Sequence, residues 1–315
     1  MTASPVDTLG QLDPAEADTV CDCPAGPTTH GTFGELAQGY RRRRDGAVDH
    51  FLVTLPVEEL SSTAEVAARA GAPLPPKAHV AFTTACQLLG VDPPELPPRL
   101  RSNIPVGKGF ASSTADIVSV VAHTIERVAP HLDHTERHLL IAEVNRRLEY
   151  GDYLLHRGIT LCNQRSHHIG KAFRTDLRWR IVGIDEGGHV DTADFHRRSV
   201  PDQRKLAQYS DIYRRLWAAL ADSDSPRAAA IASESALLHQ DVLPKRSLPH
   251  MLDIASDTAA HGVCVAHSGT LVGLIFTASE ADAEARMARA AERIASELHT
   301  TPLRFTVLEN RTPAS

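Results

Sequence analysis

A lysine between two glycines, followed by two adjacent hydroxyls, stands within residues 104–116, which read Ile-Pro-Val-Gly-Lys-Gly-Phe-Ala-Ser-Ser-Thr-Ala-Asp. An apolar-periodic run follows at Ile117, Val118, Val120, Val121 and Ile125. The pattern predicts a tight loop feeding a helix N-terminus. Such a terminus has unpaired N–H groups and the positive end of the helix dipole, so it suits an anion, above all a phosphate. Pro105, Gly107, Lys108, Gly109, Ala111, Ser112, Ser113 and Thr114 are the candidate phosphate-binding residues. Glycine lets the backbone approach a ligand closely. Ser112 and Ser113 can donate to phosphate oxygens or ligate Mg²⁺, a hard cation that prefers oxygen. The plainer alternative is a helix-capping turn with no ligand.

A second constellation is Glu149-Tyr150-Gly151-Asp152, where a helix is expected to stop at the glycine. Two carboxylates three residues apart at a helix end can converge on one point. Phosphoryl transfer needs positioning and charge neutralisation more than covalent chemistry. A carboxylate to hold Mg²⁺ and another to orient or deprotonate a hydroxyl would complete the set. A solvated helix end with a glycine stop is the alternative.

Other reactive residues form weaker patterns. His131, His134 and His138 sit at helical spacing and could face one way to bind a metal, but no carboxylate or thiol completes the set. They read instead as a polar stripe on an exposed helix. Five cysteines, at 21, 23, 86, 162 and 264, are odd in number and scattered, which argues against a disulfide framework. The arginine run at 41–44 reads as a solvated hairpin tip rather than a nucleic-acid or membrane patch.

The chain has 315 residues, 42% hydrophobic and 23% charged, with a net charge of −6. That is globular material without a basic bias towards nucleic acid. No apolar run is long enough to span a bilayer, and the N-terminus lacks a basic-then-apolar leader, so a cytoplasmic protein is expected. Residues 1–20 read as a disordered extension, 21–176 as an N-terminal domain carrying the loop, and 177–315 as a C-terminal domain. Strands are expected at 50–55, 62–66, 99–104, 179–184, 263–265, 270–276 and 305–308. Helices are expected at 77–90, after the loop, and at 135–149, 201–221, 226–239, 247–261 and 279–298. The fold class is α+β, in two lobes.

The loop is not a Walker A motif, which needs a glycine five residues before the Gly-Lys pair and a Ser or Thr directly after it. Ser102 and Gly109 stand there instead. The order Pro-x-x-x-Gly-x-x-Ser-Ser resembles the nucleotide loop of the GHMP kinases. More narrowly, the chain resembles the L-threonine kinases of that superfamily, enzymes associated with cobalamin side-chain assembly. Their early motif is matched by Cys23-Pro24-Ala25 and Gly31-Thr32-Phe33-Gly34-Glu35-Leu36-Ala37-Gln38-Gly39. Their Leu-Glu-Pro-Thr-Asp-Ser is matched by Leu148-Glu149-Tyr150-Gly151-Asp152-Tyr153. Residues 191–198, Leu243-Pro244-Lys245 and 265–274 match later motifs, all in the same order across residues 21–280.

The resemblance implies an ATP- and Mg²⁺-dependent kinase for a small hydroxy amino acid, most closely L-threonine, and is compatible with a homodimer. Serine, homoserine or a non-proteinogenic acceptor is the neighbouring reading, and a nucleotide-binding regulator without catalysis is another. The resemblance puts the triphosphate on Gly107, Lys108, Gly109, Ser112 and Ser113, with Lys108 also in a catalytic role. It puts Mg²⁺ near Ser113 or Ser112 and Glu149, and makes Asp152 the catalytic carboxylate. Glu35 and Gln38 would lie on the acceptor side. His196, Arg197 and Arg198 would help bind the substrate carboxylate, and His267-Ser268-Gly269 would be a turn beside nucleotide or acceptor. The departures are Phe33 for a cysteine, Tyr150-Gly151-Asp152-Tyr153 for Pro-Thr-Asp-Ser, and the basic, His-rich stretch 154–176. They are expected to fall towards the acceptor pocket.

Overall fold

A computed structural model describes residues 27–43, 46–67, 72–149, 151–164, 168–190 and 203–309. Among these, one nine-stranded antiparallel sheet runs through both halves of the chain. Its strands are β1 (Thr28–Arg42), β2 (Val48–Glu65), β3 (Arg99–Ser102), β4 (Thr160–Asn163), β5 (His168–Ala172), β6 (Trp179–Asp185), β7 (Gly262–Val265), β8 (Leu271–Thr277) and β9 (Leu303–Thr306). The order across the sheet is β5-β4-β2-β1-β7-β8-β6-β9, with β3 also on β2. The halves meet where β1 pairs β7 at Glu35↔Val265.

The helices are α1 (Pro76–Leu89), α2 (Ser112–Val128), α3 (His134–Leu148), α4 (Gln203–Ala221), α5 (Ser225–His239), α6 (Leu248–Thr258) and α7 (Ala283–Glu297). The expected helices are all present. Their ends follow local chemistry. Gly90 closes α1 in the left-handed conformation (φ 67°), as a residue without Cβ does at low cost. Asp133 opens α3 with a capping box to Glu136. The apolar faces of α1, α2 and α3 close over Leu52 and Cys162 of the sheet. The α4 and α5 helices cover β1 and the main core, and α6 and α7 pack with β6, β7 and β8.

The strand readings differ in two places. Segments 50–55 and 62–66 are one long strand, β2, carried through Pro56. Its pairing with β1 shifts register between His30 and Ala37, with extra residues on each strand in turn around Pro56. The β4–β5 hairpin lies inside the stretch read only as basic and His-rich. Its apolar signal is confined to Leu161, Cys162 and a few neighbours, too short to stand out.

Candidate active site

The loop is shaped by what takes its carbonyls. Val190 N–H donates to Gly107 O (3.4 Å), Thr270 N–H to Lys108 O (2.8 Å), Gly34 N–H to Gly109 O (3.2 Å) and Thr32 N–H to Phe110 O (3.1 Å). Successive carbonyls are thus turned into the protein. Gly107, Gly109 and Ala111 take positive φ (73°, 99° and 61°), and such alternation gathers N–H groups into an anion-binding concavity. No side chain caps α2. Its first bond runs from Ala115 N–H to Ala111 O, so the N–H groups ahead of it remain for an anion. The Ser112 side chain is buried and makes no hydrogen bond to a described residue.

Lys108 is turned to the side. Its ammonium pairs with Asp185 (2.9 Å) and donates to Gly188 O (2.8 Å). Asp185 also accepts from Thr270 Oγ1 and Gly187 N–H. Partial burial works to raise its carboxyl, but the bonds from Thr270, Lys108 and Gly187 prevail and hold it below the usual range. Nothing in the sequence pattern singled out Asp185, whose signal is only its place at the end of β6.

Glu149 follows α3 as its C-cap residue. It accepts from Ser113 Oγ (2.8 Å) and Thr114 Oγ1 (2.7 Å), and Lys77 pairs with it. Carboxylate and hydroxyl oxygens at a helix start are a hard donor set that fits Mg²⁺. Ser113 and Glu149 are therefore the residues that would hold it, with Lys77 occupying one carboxylate oxygen meanwhile.

The floor of the site is acidic. Asp152 is deep but not sealed, and it makes no hydrogen bond or ion pair to any described residue. Burial raises its carboxyl well above the ordinary range, and the charges of Glu35 and Glu149 raise it further. Glu35 lies on β1, where Gly34 turns with φ 59° because a Cβ there would meet Ala266 N and Val265 O at 2.6 Å. The Glu35 carboxyl is also pushed up by burial, against the pull of the His267 N–H and Lys245.

His267 is not at the open face. It is fully buried, and its backbone N–H donates to Glu35 Oε2 (2.8 Å) while Nδ1 lies 3.0 Å from the same oxygen. Burial, then the nearby Lys245 charge, takes its pKa down to about 3, so the ring is neutral and orients Glu35. Ser268 is half-buried in the adjoining turn. Gln38 donates to Gln164 (2.6 Å), with its own Oε1 buried and unpartnered.

In the sequence Lys245 stands only within the Leu243-Pro244-Lys245 motif. Its ammonium is buried and donates to Gly269 O. Burial lowers its pKa to about 8 against the support of Glu186 and Glu35. It is a buried cation between the acidic floor and the turn that grips the loop. His196, Arg197, Arg198 and the Cys23-Pro24-Ala25 motif lie outside the described residues.

Two of the departures, Phe33 and Tyr153, do not enter the pocket, and Tyr150 lies outside the described residues. Phe33 is fully buried in the central core, with ring contacts to Phe110 (5.9 Å) and Phe305 (5.3 Å). Tyr153 is buried in the helical layer, where its hydroxyl meets His138. His138 is therefore an interior residue, not part of an exposed stripe. No group of three or more His, Cys, Asp or Glu among the described residues could hold a metal ion. Cys86, Cys162 and Cys264 are free and buried, and no described helix is long and apolar enough to cross a membrane.

The chain matches no family model. It is 31% identical over 277 residues to an L-threonine kinase of Citrobacter freundii, covering 84% of this chain and 88% of that one. The chain belongs to the L-threonine kinase family. It is also 29% identical over 198 residues to an L-threonine kinase of Salmonella typhimurium, a match spanning 62% of this chain and 64% of that relative. A mevalonate kinase structure from L. major, with R-mevalonate bound, superposes with a TM-score of 0.61 at 15% identity, over 93% of this chain and all of that one. The fold is accordingly that of the GHMP kinases.

Proposed function

We propose that this chain transfers the γ-phosphoryl group of ATP to the side-chain hydroxyl of a small hydroxy amino acid, L-threonine first among them. The observation that carries the reading is the Asp152 carboxylate, unpartnered among the described residues, next to Gly151, where a Cβ would lie 3.0 Å from Glu149 Oε1 beside the open start of α2. Membership of the L-threonine kinase family supports the acceptor.

The loop N–H groups, Ser112 and Ser113 bind the triphosphate. Bound Mg²⁺, held by Ser113 and Glu149, would neutralise phosphate charge during transfer. Asp152 orients the acceptor hydroxyl and takes its proton. Its raised proton affinity makes the ionised carboxylate a stronger base. Glu35 Oε2 is committed to His267, and its hydrogen bonds to described residues all fall on that oxygen. Oε1 then serves the substrate ammonium. In threonine the ammonium and hydroxyl sit on neighbouring carbons, so one acidic floor reaches both. The acceptor lies at the joint between residues 21–176 and 177–315, the two lobes of this reading.

The test is an ADP-release screen across hydroxy amino acids with mass detection of product. O-phospho-L-threonine formed in preference to phosphoserine is expected, since a fitted methyl is worth about 1–3 kcal/mol. Turnover of another acceptor with threonine inert would keep the kinase and replace the substrate. ATP binding without turnover of any acceptor would overturn both.

A further inference from the structure

Asp152 has no hydrogen-bonding partner among the described residues, so its aim depends on its neighbours in the chain. On one side, Gly151 is packed so closely that a Cβ would lie 2.5 Å from Thr114 Oγ1. On the other, Tyr153 is driven into the apolar layer of α2 and α3 among Ile117, Val121 and Val144. Its hydroxyl and His138 Nε2 share a hydrogen bond of 2.7 Å. The His156 ring stacks on Tyr153 (5.7 Å, 28°) and on His138 (4.5 Å). The nitrogens of His156 are buried without partners. The bond to His138 is the only hydrogen bond that a side chain of residues 151–156 makes to the described residues, and the Tyr153 backbone also bonds the Cys162 thiol.

We propose that Tyr153 and His138 are positioning residues for the transfer step: their buried hydrogen bond anchors the segment that aims Asp152 at the acceptor hydroxyl. The inference rests on the kinase reading above and on Asp152 acting in it. Neither residue touches the cleft. The anchor is specific to this chain's Tyr-Gly-Asp-Tyr sequence, since a serine at 153 could not reach the helical layer in this way. A side chain free to swing by about 1 Å loses much of the benefit of prior alignment, and such misplacement costs on the order of a hundredfold. Loss of one anchoring bond in a packed setting should cost less.

The experiment compares Tyr153→Phe, His138→Leu, their double variant and His138→Gln, each assayed well below its melting temperature. Phenylalanine keeps the packed ring and removes only the hydroxyl. Each of the first two should lower kcat about five- to fiftyfold with ATP affinity by calorimetry within about twofold of the parent, as for an effect confined to alignment. The double variant should be no worse than either, because both break one bond. Glutamine can both donate and accept, so His138→Gln should recover most of the lost kcat. Near-parental kcat in folded Tyr153→Phe would overturn the proposal, as would multiplied losses in the double variant. If Tyr153→Phe does not fold, the His138 pair decides: equal kcat in His138→Leu and His138→Gln overturns it. Asp152→Asn is the reference. An inactive Asp152→Asn beside a normal Tyr153→Phe sinks the anchor and keeps the kinase, whereas a parent that phosphorylates no hydroxy amino acid sinks the kinase reading itself.

Discussion

On the nucleotide side of the cleft, the loop of residues 107–110 gives its carbonyls to β1, to Thr270 and to Val190, and Lys108 is matched by Asp185. On the side proposed for the acceptor, Asp152 has no partner among the described residues and Glu35 leans on a neutral histidine. In the first region the loop carbonyls and Lys108 are already matched, and only the N–H groups at the start of α2 are left open for a ligand. The second holds desolvated carboxyls whose proton affinity is raised, and a ligand cation beside them would favour their ionised form. A preformed cradle suits a phosphate chain that many kinases share. An electrostatically unfinished floor suits selection, because the ligand that completes it must bring a cation and a hydroxyl together. The stabilisation sacrificed at Asp152 is then recovered on binding.

The comparison breaks first at the cradle. Replacing Ser112 and Ser113 together by alanine should lower kcat/KM roughly ten- to a thousandfold, on the scale of lost charge-stabilising contacts. Unchanged steady-state kinetics would remove the nucleotide from this loop. On the acidic floor, Glu35→Gln should raise the threonine KM about tenfold or more, in line with a hydrogen bond to a charged group, and leave the ATP KM alone. It also removes a like charge beside Asp152, so the acid limb of the kcat profile should move to lower pH. An unmoved limb would separate Glu35 from Asp152.

Smaller effects sharpen the contrast. The Lys108–Asp185 pair is about a quarter exposed on each side (25% and 27%), where such pairs are worth up to about 1 kcal/mol. Asp185→Asn should free Lys108 for the triphosphate and tighten ATP binding about two- to fivefold. Weakened binding would show that Asp185 shapes the loop instead. Stability should also respond to acid. Burial depresses His138 to about 3 and His156 to about 4, with neighbouring imidazoles adding to it. Unfolded histidine titrates near 6.5. Below that pH the unfolded chain takes up protons that the native one refuses, so stability is full above about 6.5 and is lost as pH falls towards 4. Each histidine contributes up to about 1.4 kcal/mol per pH unit. The raised carboxyls of Glu35 and Asp152 act in the opposite sense over part of that range, so the clean readout is a difference. His138→Gln should show a shallower acid slope in denaturant melts than the parent, and an equal slope would place His138 in contact with water.

The cradle was legible because its parts are contiguous: residues 105–114 form one loop and one helix start, and the spacing of Gly, Lys and Ser survives in the sequence as a pattern. Glu149 and Asp152 were legible for the same reason. The contact of Glu35 with His267 was not, because it joins residues 232 apart through the single β1–β7 pairing. Lys245 and Asp185 stand in unremarkable local sequence and acquire meaning only from that assembly. The ring at Tyr153 was assigned to the wrong side of its own backbone. Residues 151–154 are irregular backbone between α3 and β4, and local sequence gives no period from which to tell that Tyr153 turns into the core. The sequence shows β2 only as the two segments 50–55 and 62–66, and the shifted β1–β2 register is what joins them through Pro56.

The central claim is that phosphate binding and acceptor activation are served by different residues, with Asp152 on the acceptor side. Asp152→Asn tests it most directly, with ATP affinity by calorimetry and kcat for threonine measured on the same preparation. Loss of a general base costs about a hundred- to ten-thousandfold, and a loose phosphoryl-transfer transition state places the effect in the lower half of that range. The account predicts that loss in kcat with ATP affinity within about twofold of the parent, since the asparagine leaves the cradle intact. Equal losses in both would assign Asp152 to the metal or the fold, and a near-normal kcat would contradict a carboxylate base at this position.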